Sequence, residues 1–478
     1  MKKMGKRDSR GRAFASLLAL APLLVAALGG ALAASAAFGG TTAAWFRETI
    51  PCGVGTKLAG YGPDDVSVDK HDDLQVCGVA VDDGSARVLI VSIDVLGLDD
   101  FTVRDFRTAA AKALDIPDAH VLLTCTHTHE GPHVRAHSPT GESDGQILDR
   151  ESLAALRDRL LAGVGRLKDA ARWKPVDIGY HSTTVDENRN RRFTTADNCA
   201  TFIAHRRILS DIATGIADKE LGTVALLDPV RRDPVYVIGN YAAHALAAHS
   251  PGKGGLRISA DFPGFYREAV RDDTGAEAMF VQGAAGDIVP KGDELGLVAA
   301  RRLGENLAMG SMASVIDIQR NAKRFVLDKP KVGGVIRPFR AKLRDKWRQK
   351  LGADEKELEL QVVAIGDVAF VGVPGEIVNE IGLEIKWASP FRRTFIAYCA
   401  TGYFGYICPP NFVAAGGYEG QSNRLASREA SKLVRTAEDA LFDLRQRLFP
   451  QDGSDYPDNL ELPVVNLPGG VKGGKFDR

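Results

Sequence analysis

The sequence predicts an α/β fold: a mixed, largely parallel sheet core with flanking helices and a metal site at strand C-terminal ends. Three observations carry this. Arg87–Ile93 and Val121–Thr124 are continuous apolar runs, the pattern of strands buried on both faces. Between them, Thr102–Leu114 places Phe106, Ala110 and Leu114 on one helical face, so strand, helix and strand form a βαβ unit with a parallel pair. Several apolar strands then end in a polar residue beside Gly or Pro: His127 and His129, His244, Asp287 and Glu376. In open α/β sheets, ligands gather at the C-terminal ends of strands.

The remaining elements follow in order. A helix is expected over about 149–168. Short strands follow near 222–228 and 234–240, the second leading to Asn240 and His244. Asp261-Phe262-Pro263 opens a helix, with proline tolerated in the first turn. Ala278–Gln282 is an apolar strand running into Gly283-Ala284-Ala285-Gly286-Asp287. Leu358–Ile365 and Val368–Val373, joined by Gly366-Asp367, read as a hairpin, and its second strand ends in Pro374-Gly375-Glu376. Ser422–Leu448 reads as one long amphipathic helix.

Three segments are expected: 1–39, 40–449 and 450–478. In the first, Lys2, Lys3, Lys6, Arg7, Arg10 and Arg12 stand against Asp8 alone, and no charge follows until Arg47. A basic start, the apolar run Ala13–Phe38 and a small-residue end (Ala31-Leu32-Ala33) make a signal peptide or an N-terminal membrane anchor. Export to a periplasmic or extracellular location is the expectation, with membrane association through this segment open. The last segment, rich in Gly, Pro and Asp, reads as an extended or disordered tail. Formal net charge is zero with 26% charged residues, and no basic face is implied, so nucleic-acid binding has no support. Six cysteines are widely spaced without a C-x-x-C, which argues against a zinc-ribbon or thioredoxin-type site. Cys399–Cys408 and Cys52–Cys77 pairing, or free thiols, are both open.

The chemistry concentrates in Thr126-His127-Thr128-His129-Glu130-Gly131-Pro132. Histidine is the commonest metal ligand and titrates near neutrality, yet His-x-His spacing alone does not define a metal site. His244, in an apolar stretch, is open to reading as a core histidine. Glu376 is open to reading as a first-turn acid favoured by a helix dipole. Arg191 stands beside Arg189 and Arg192 and is open to reading as solvated charge. Asp261 and Asp287 read as caps or loop anchors.

Taken in order, the blocks resemble the neutral/alkaline non-lysosomal ceramidase family. Leu58-Ala59-Gly60-Tyr61-Gly62 is similar to its N-terminal block, and Thr126–Pro132 to its T-H-T-H-S-G-P signature. Asn188-Arg189-Asn190-Arg191 is similar to its N-x-N-R segment, and Asn240-Tyr241-Ala242-Ala243-His244 to N-W-x-x-H. Gln282–Pro290 resembles Q-x-N-x-G-D-x-S-P, and Val373-Pro374-Gly375-Glu376 equals V-P-G-E. Gly402–Tyr406 and Tyr418-Glu419 resemble its tyrosine-rich segment. The resemblance implies one catalytic Zn2+ held by His127, His244, Glu376 and Tyr406. It implies His129, Arg191 and Tyr418 as catalytic groups that move protons and hold an oxyanion, and an amide bond, including that of an N-acyl lipid, as the target of metal-activated water. The chain departs from the pattern at Val289, where the family has serine, and at Ala284, where it has asparagine; the family's Ig-like C-terminal domain is expected to be missing. Two alternatives therefore accompany the amidohydrolase reading: a hydrolase of another amide or ester, and a non-catalytic, metal-stabilised surface binding protein.

Overall fold

A computed structural model describes residues 40–60, 66–135, 142–143, 146–194, 199–201, 215–249, 256–292 and 295–450. The expected N-terminal signal or anchor and the tail from 451 lie outside the described residues. No described helix is long and apolar enough to cross a membrane.

Three sheets make the core. The first contains β1 (Thr42–Thr49), β2 (Gln75–Asp82), β3 (Arg87–Ile93) and β4 (Val121–Cys125) in the order β4-β3-β2-β1, with Lys174–Pro175 added at the β1 edge. The second contains β5 (Asp177–Thr184), β6 (Glu220–Leu227), β7 (Pro234–Tyr241) and β8 (Glu277–Gln282) in the order β8-β7-β6-β5. The third contains β9 (Val332–Lys342), β10 (Glu355–Ile365), β11 (Val368–Gly372) and β12 (Arg393–Ala397) in chain order. Helices α1 (Asp100–Leu114), α2 (Arg150–Arg166), α3 (Asp261–Thr274), α4 (Leu297–Arg320), α5 (Asn379–Ala388) and α6 (Ala430–Leu448) pack around them.

The mixed α/β architecture is as the sequence predicts, and the βαβ unit is β3-α1-β4, with β3 and β4 parallel. The expectation of a largely parallel core is corrected. Each sheet has one parallel pair, β3/β4, β7/β8 and β11/β12, and its other long ladders are antiparallel. Short connections join the antiparallel pairs β2/β3, β6/β7 and β10/β11, which parallel neighbours, needing a crossover, cannot use. The Gly366-Asp367 turn of the β10/β11 hairpin is one such connection, and Gly366 holds φ 56°, a conformation open to glycine.

The three parallel pairs run into one region. Side chains from one sheet cap backbone groups on or just after strands of another: Ser92 Oγ donates to Phe280 O (2.6 Å), Thr124 Oγ1 to Tyr398 O (2.9 Å), and Asn240 Nδ2 to Ile396 O (2.9 Å). Beneath them, Ile90 and Leu122, Ile238 and Met279, and Phe370 and Phe395 share one apolar cluster drawn from all three sheets. Burying each such side chain contributes roughly 1.5–3 kcal/mol, so the relative placement of the sheets is fixed by the core itself.

The last helix begins later than expected, and the cysteines stay unpaired. The expected helix Ser422–Leu448 starts only at Ala430, because Leu425 bridges to Leu343 and Ala426 N donates to Lys342 O, pulling the chain into an extended path first. Cys399 and Cys408 do not pair, nor do Cys52 and Cys77: all four are free thiols, as is Cys125.

Candidate metal centre

The loops that carry the histidines and Glu376 leave the C-terminal ends of parallel-paired strands. β4 delivers His127 and His129, β7 delivers His244, β8 leads to Gly286 and Asp287, β11 leads to Glu376, and β12 leads to Tyr398 and Cys399. His127 takes a left-handed backbone (φ 65°), uncommon for a non-glycine residue and typical of strained functional loops. Its N–H is held by Val95 O (3.1 Å).

The two histidines are presented in the same way. His127 Nδ1 lies 2.7 Å from Leu96 O, and His244 Nδ1 lies 2.6 Å from Ala285 O. A carbonyl can only accept, so both Nδ1 atoms carry a proton and each ring turns its Nε2 to the opposite side. Those Nε2 atoms face one oxygen: Glu376 Oε2 is 3.5 Å from His127 Nε2 and 3.3 Å from His244 Nε2. All three residues are buried, and His127 Nε2 is a buried nitrogen without a hydrogen bond. Such an atom is costly unless something occupies its lone pair. His129 completes a second grouping: one ligand atom each from His127, His129 and His244 lie within 4.8 Å of one another.

Electrostatics agree with ligand character. Burial pushes His244 down to about 4, so its imidazole is neutral. Burial, aided by His127 and His244, also holds His129 well below the usual histidine range. Burial opposes ionisation of Glu376, but the imidazoles of His127 and His244 outweigh it and hold the carboxyl well below its usual range. Two imidazoles and a carboxylate are a normal catalytic zinc shell, so the residues present fit the implied ion.

The other expected residues converge on the same place. Arg191 Nη2 donates to Tyr406 Oη (3.0 Å) and to Gly286 O (2.8 Å), and its guanidinium carbon lies 5.6 Å from the Tyr418 ring centroid. Burial first, then the Glu376 charge, raises the Tyr406 phenol well above its usual range. Tyr418 is the exposed member of the group, at 40%. The solvated reading of the arginine trio does not hold: Arg189, Arg191 and Arg192 are all buried. Asp287 is a loop anchor, as read, accepting from Asn379 N (2.7 Å) and Asn190 Nδ2 (2.5 Å). Val289 lies in a short strand opposite Arg189, its side chain buried.

Four residues around the site were given no role by the sequence reading. Glu419 is fully buried and bridges Arg191 Nε (2.7 Å) and Arg192 Nη1 (2.8 Å). Tyr403 Oη donates to Glu376 Oε1, and Tyr398 Oη donates to Oε2 (3.4 Å). Gly60, at φ 87°, leaves room for the His129 ring: a Cβ there would lie 2.8 Å from His129 Cε1. The one available signal was the density of tyrosines over residues 398–418.

No family model matches this sequence, and no curated protein does. Among solved structures, the fold is similar to that of neutral ceramidase from Pseudomonas aeruginosa, at 17% identity and a TM-score of 0.68 over 86% of this chain and 75% of that one. It is equally similar to a ceramidase complexed with C2, at 17% identity and a TM-score of 0.68 over 88% of this chain and 77% of that one. At this identity the likeness is one of fold.

Proposed function

We propose that this chain is a ceramidase-like, zinc-dependent hydrolase that cleaves an amide bond of an N-acylated substrate. The observation that carries the reading is the shared orientation of His127 and His244, whose Nδ1 atoms are tied to carbonyls while both Nε2 atoms face Glu376 Oε2. His127, His244, Glu376 and Tyr406 would hold the ion. When bound, zinc lowers the pKa of water toward neutrality and polarises a carbonyl.

The chain's own groups supply the rest. His129, kept neutral by burial, is ready to accept a proton at a ring nitrogen and return it to a leaving amine. Arg191 is fixed by Glu419 and Gly286 O, so its remaining donor capacity is pre-aimed at Tyr406 and the space beside it. A charge that develops on a carbonyl oxygen there meets a donor already in place, a contribution of about 3 kcal/mol per well-placed donor. No covalent serine is required, and Val289 offers none. The basic start and the apolar run Ala13–Phe38 support an exported enzyme, with residues 40–449 as its hydrolase domain.

The test is a panel of N-acyl amides, ceramide among them, together with simple esters, assayed before and after chelation and with His127→Ala. Amide hydrolysis that chelation and His127→Ala both abolish supports the reading. Hydrolysis that survives chelation contradicts it. A zinc-loaded chain inert across the whole panel favours a metal-stabilised binding protein instead.

A further inference from the structure

We infer that Tyr403 is a positioning residue that fixes how Glu376 presents its carboxylate to the metal centre, an inference that rests on the metal-centre reading above. The Glu376 backbone is already immobile. Its N–H donates to Gly405 O (2.9 Å), and Gly375 lies so close to the same carbonyl that a Cβ would sit 2.5 Å from it. The side chain still has rotatable bonds, and a carboxylate offers two oxygens. Oε2 faces both Nε2 atoms, and Tyr403 Oη donates to Oε1. One oxygen is thus turned toward the ion's place and the other is occupied by a donor, which favours single-oxygen ligation.

Tyr403 is itself closely packed. The Arg135 guanidinium carbon stacks 3.8 Å from its ring centroid. Gly97 makes room for it: a Cβ there would lie 2.6 Å from Tyr403 Cδ2. Gly97 follows Leu96, whose carbonyl orients His127, so one short stretch after β3 sets both a histidine and the carboxylate. Phe404 N donates to Pro374 O (2.8 Å), locking the tyrosine loop onto the Glu376 loop. Tyr398 reaches the same carboxylate at 3.4 Å, a contact too long to orient it strongly.

The test uses the whole chain and its Tyr403→Phe and Tyr398→Phe variants, loaded with zinc or cobalt. Partners of metal ligands typically contribute 10–100-fold in metal affinity. Tyr403→Phe is therefore expected to bind zinc 10–100-fold more weakly and to change the visible d–d bands of the cobalt form, which report coordination. Its metal-free form is expected to stay cooperatively folded with a modestly lower melting temperature, and Tyr398→Phe is expected to keep the parent's bands. Tyr403→Phe with parental zinc affinity and parental cobalt bands overturns the inference. A parent chain that binds neither ion overturns instead the metal-centre reading on which it stands.

Discussion

Glu419→Gln is the sharpest structural perturbation available. The change keeps the side chain's shape and removes one charge from a fully buried position. Glu419 holds two guanidinium groups, Arg191 through Nε at 2.7 Å and Arg192 through Nη1 at 2.8 Å, and both arginines are buried. A unit-charge pair near 4 Å is worth about 4 kcal/mol at an effective dielectric of about 20, and desolvation offsets part of this. Removing one partner while the other stays buried costs about 3–5 kcal/mol. The amide also turns an NH2 donor toward a guanidinium that has only donors to offer. Thermal unfolding of the metal-free protein reads the folding loss alone. Glu419→Gln should melt well below the parent. The double variant Glu419→Gln/Arg192→Gln should recover part of the loss, because it removes one of the stranded cations. If Glu419→Gln melts with the parent, the buried triad is not holding this corner together, and the account of how Arg191 is aimed fails with it.

Two further changes probe the neighbouring loop. Gly60→Ala places a methyl against the His129 ring and forces alanine to φ 87°, at a backbone cost of roughly 1–2 kcal/mol; zinc content should be retained while turnover falls, and unchanged turnover would remove His129 from the chemistry. Glu130→Gln tests a buried acid: burial first, then Asp261 and Asp72, raises its pKa from 4.5 to about 9, with Arg257 opposing. The folded value lies above the unfolded one, so ionisation burdens the folded state. This destabilisation is absent below about pH 4.5 and grows as pH rises toward about 9. Glu130→Gln should flatten the decline of the melting temperature over that window, and a parental pH profile would refute the assignment.

Local patterns made most of the core readable in advance. Continuous apolar runs located β3, β4 and β8, and Gly366-Asp367 located a hairpin. Other elements were disguised by what packs on them. α4 carries Gly304, and a Cβ there would lie 2.7 Å from Phe262 O: the glycine that weakens the helical pattern is what lets α3 approach. β9 contains Gly333-Gly334 and Pro338, residues that argue against a central strand, and it sits at the sheet edge where proline is tolerated. The site divides in the same way. The histidines and Glu376 announce themselves at strand ends. The buried pairing of Arg191 and Arg192 depends on Glu419, more than two hundred residues away, and the Tyr403 contact with Glu376 depends on loops of β11 and β12 meeting in space. Neither is a property of local sequence.

The central claim is that His127, His244 and Glu376 hold a metal ion, and elemental analysis of the purified chain beside His127→Ala tests it most directly. The account predicts one zinc per chain in the parent and none in the variant. Parent protein without stoichiometric metal after zinc loading, or a His127→Ala variant that keeps its zinc, would contradict it.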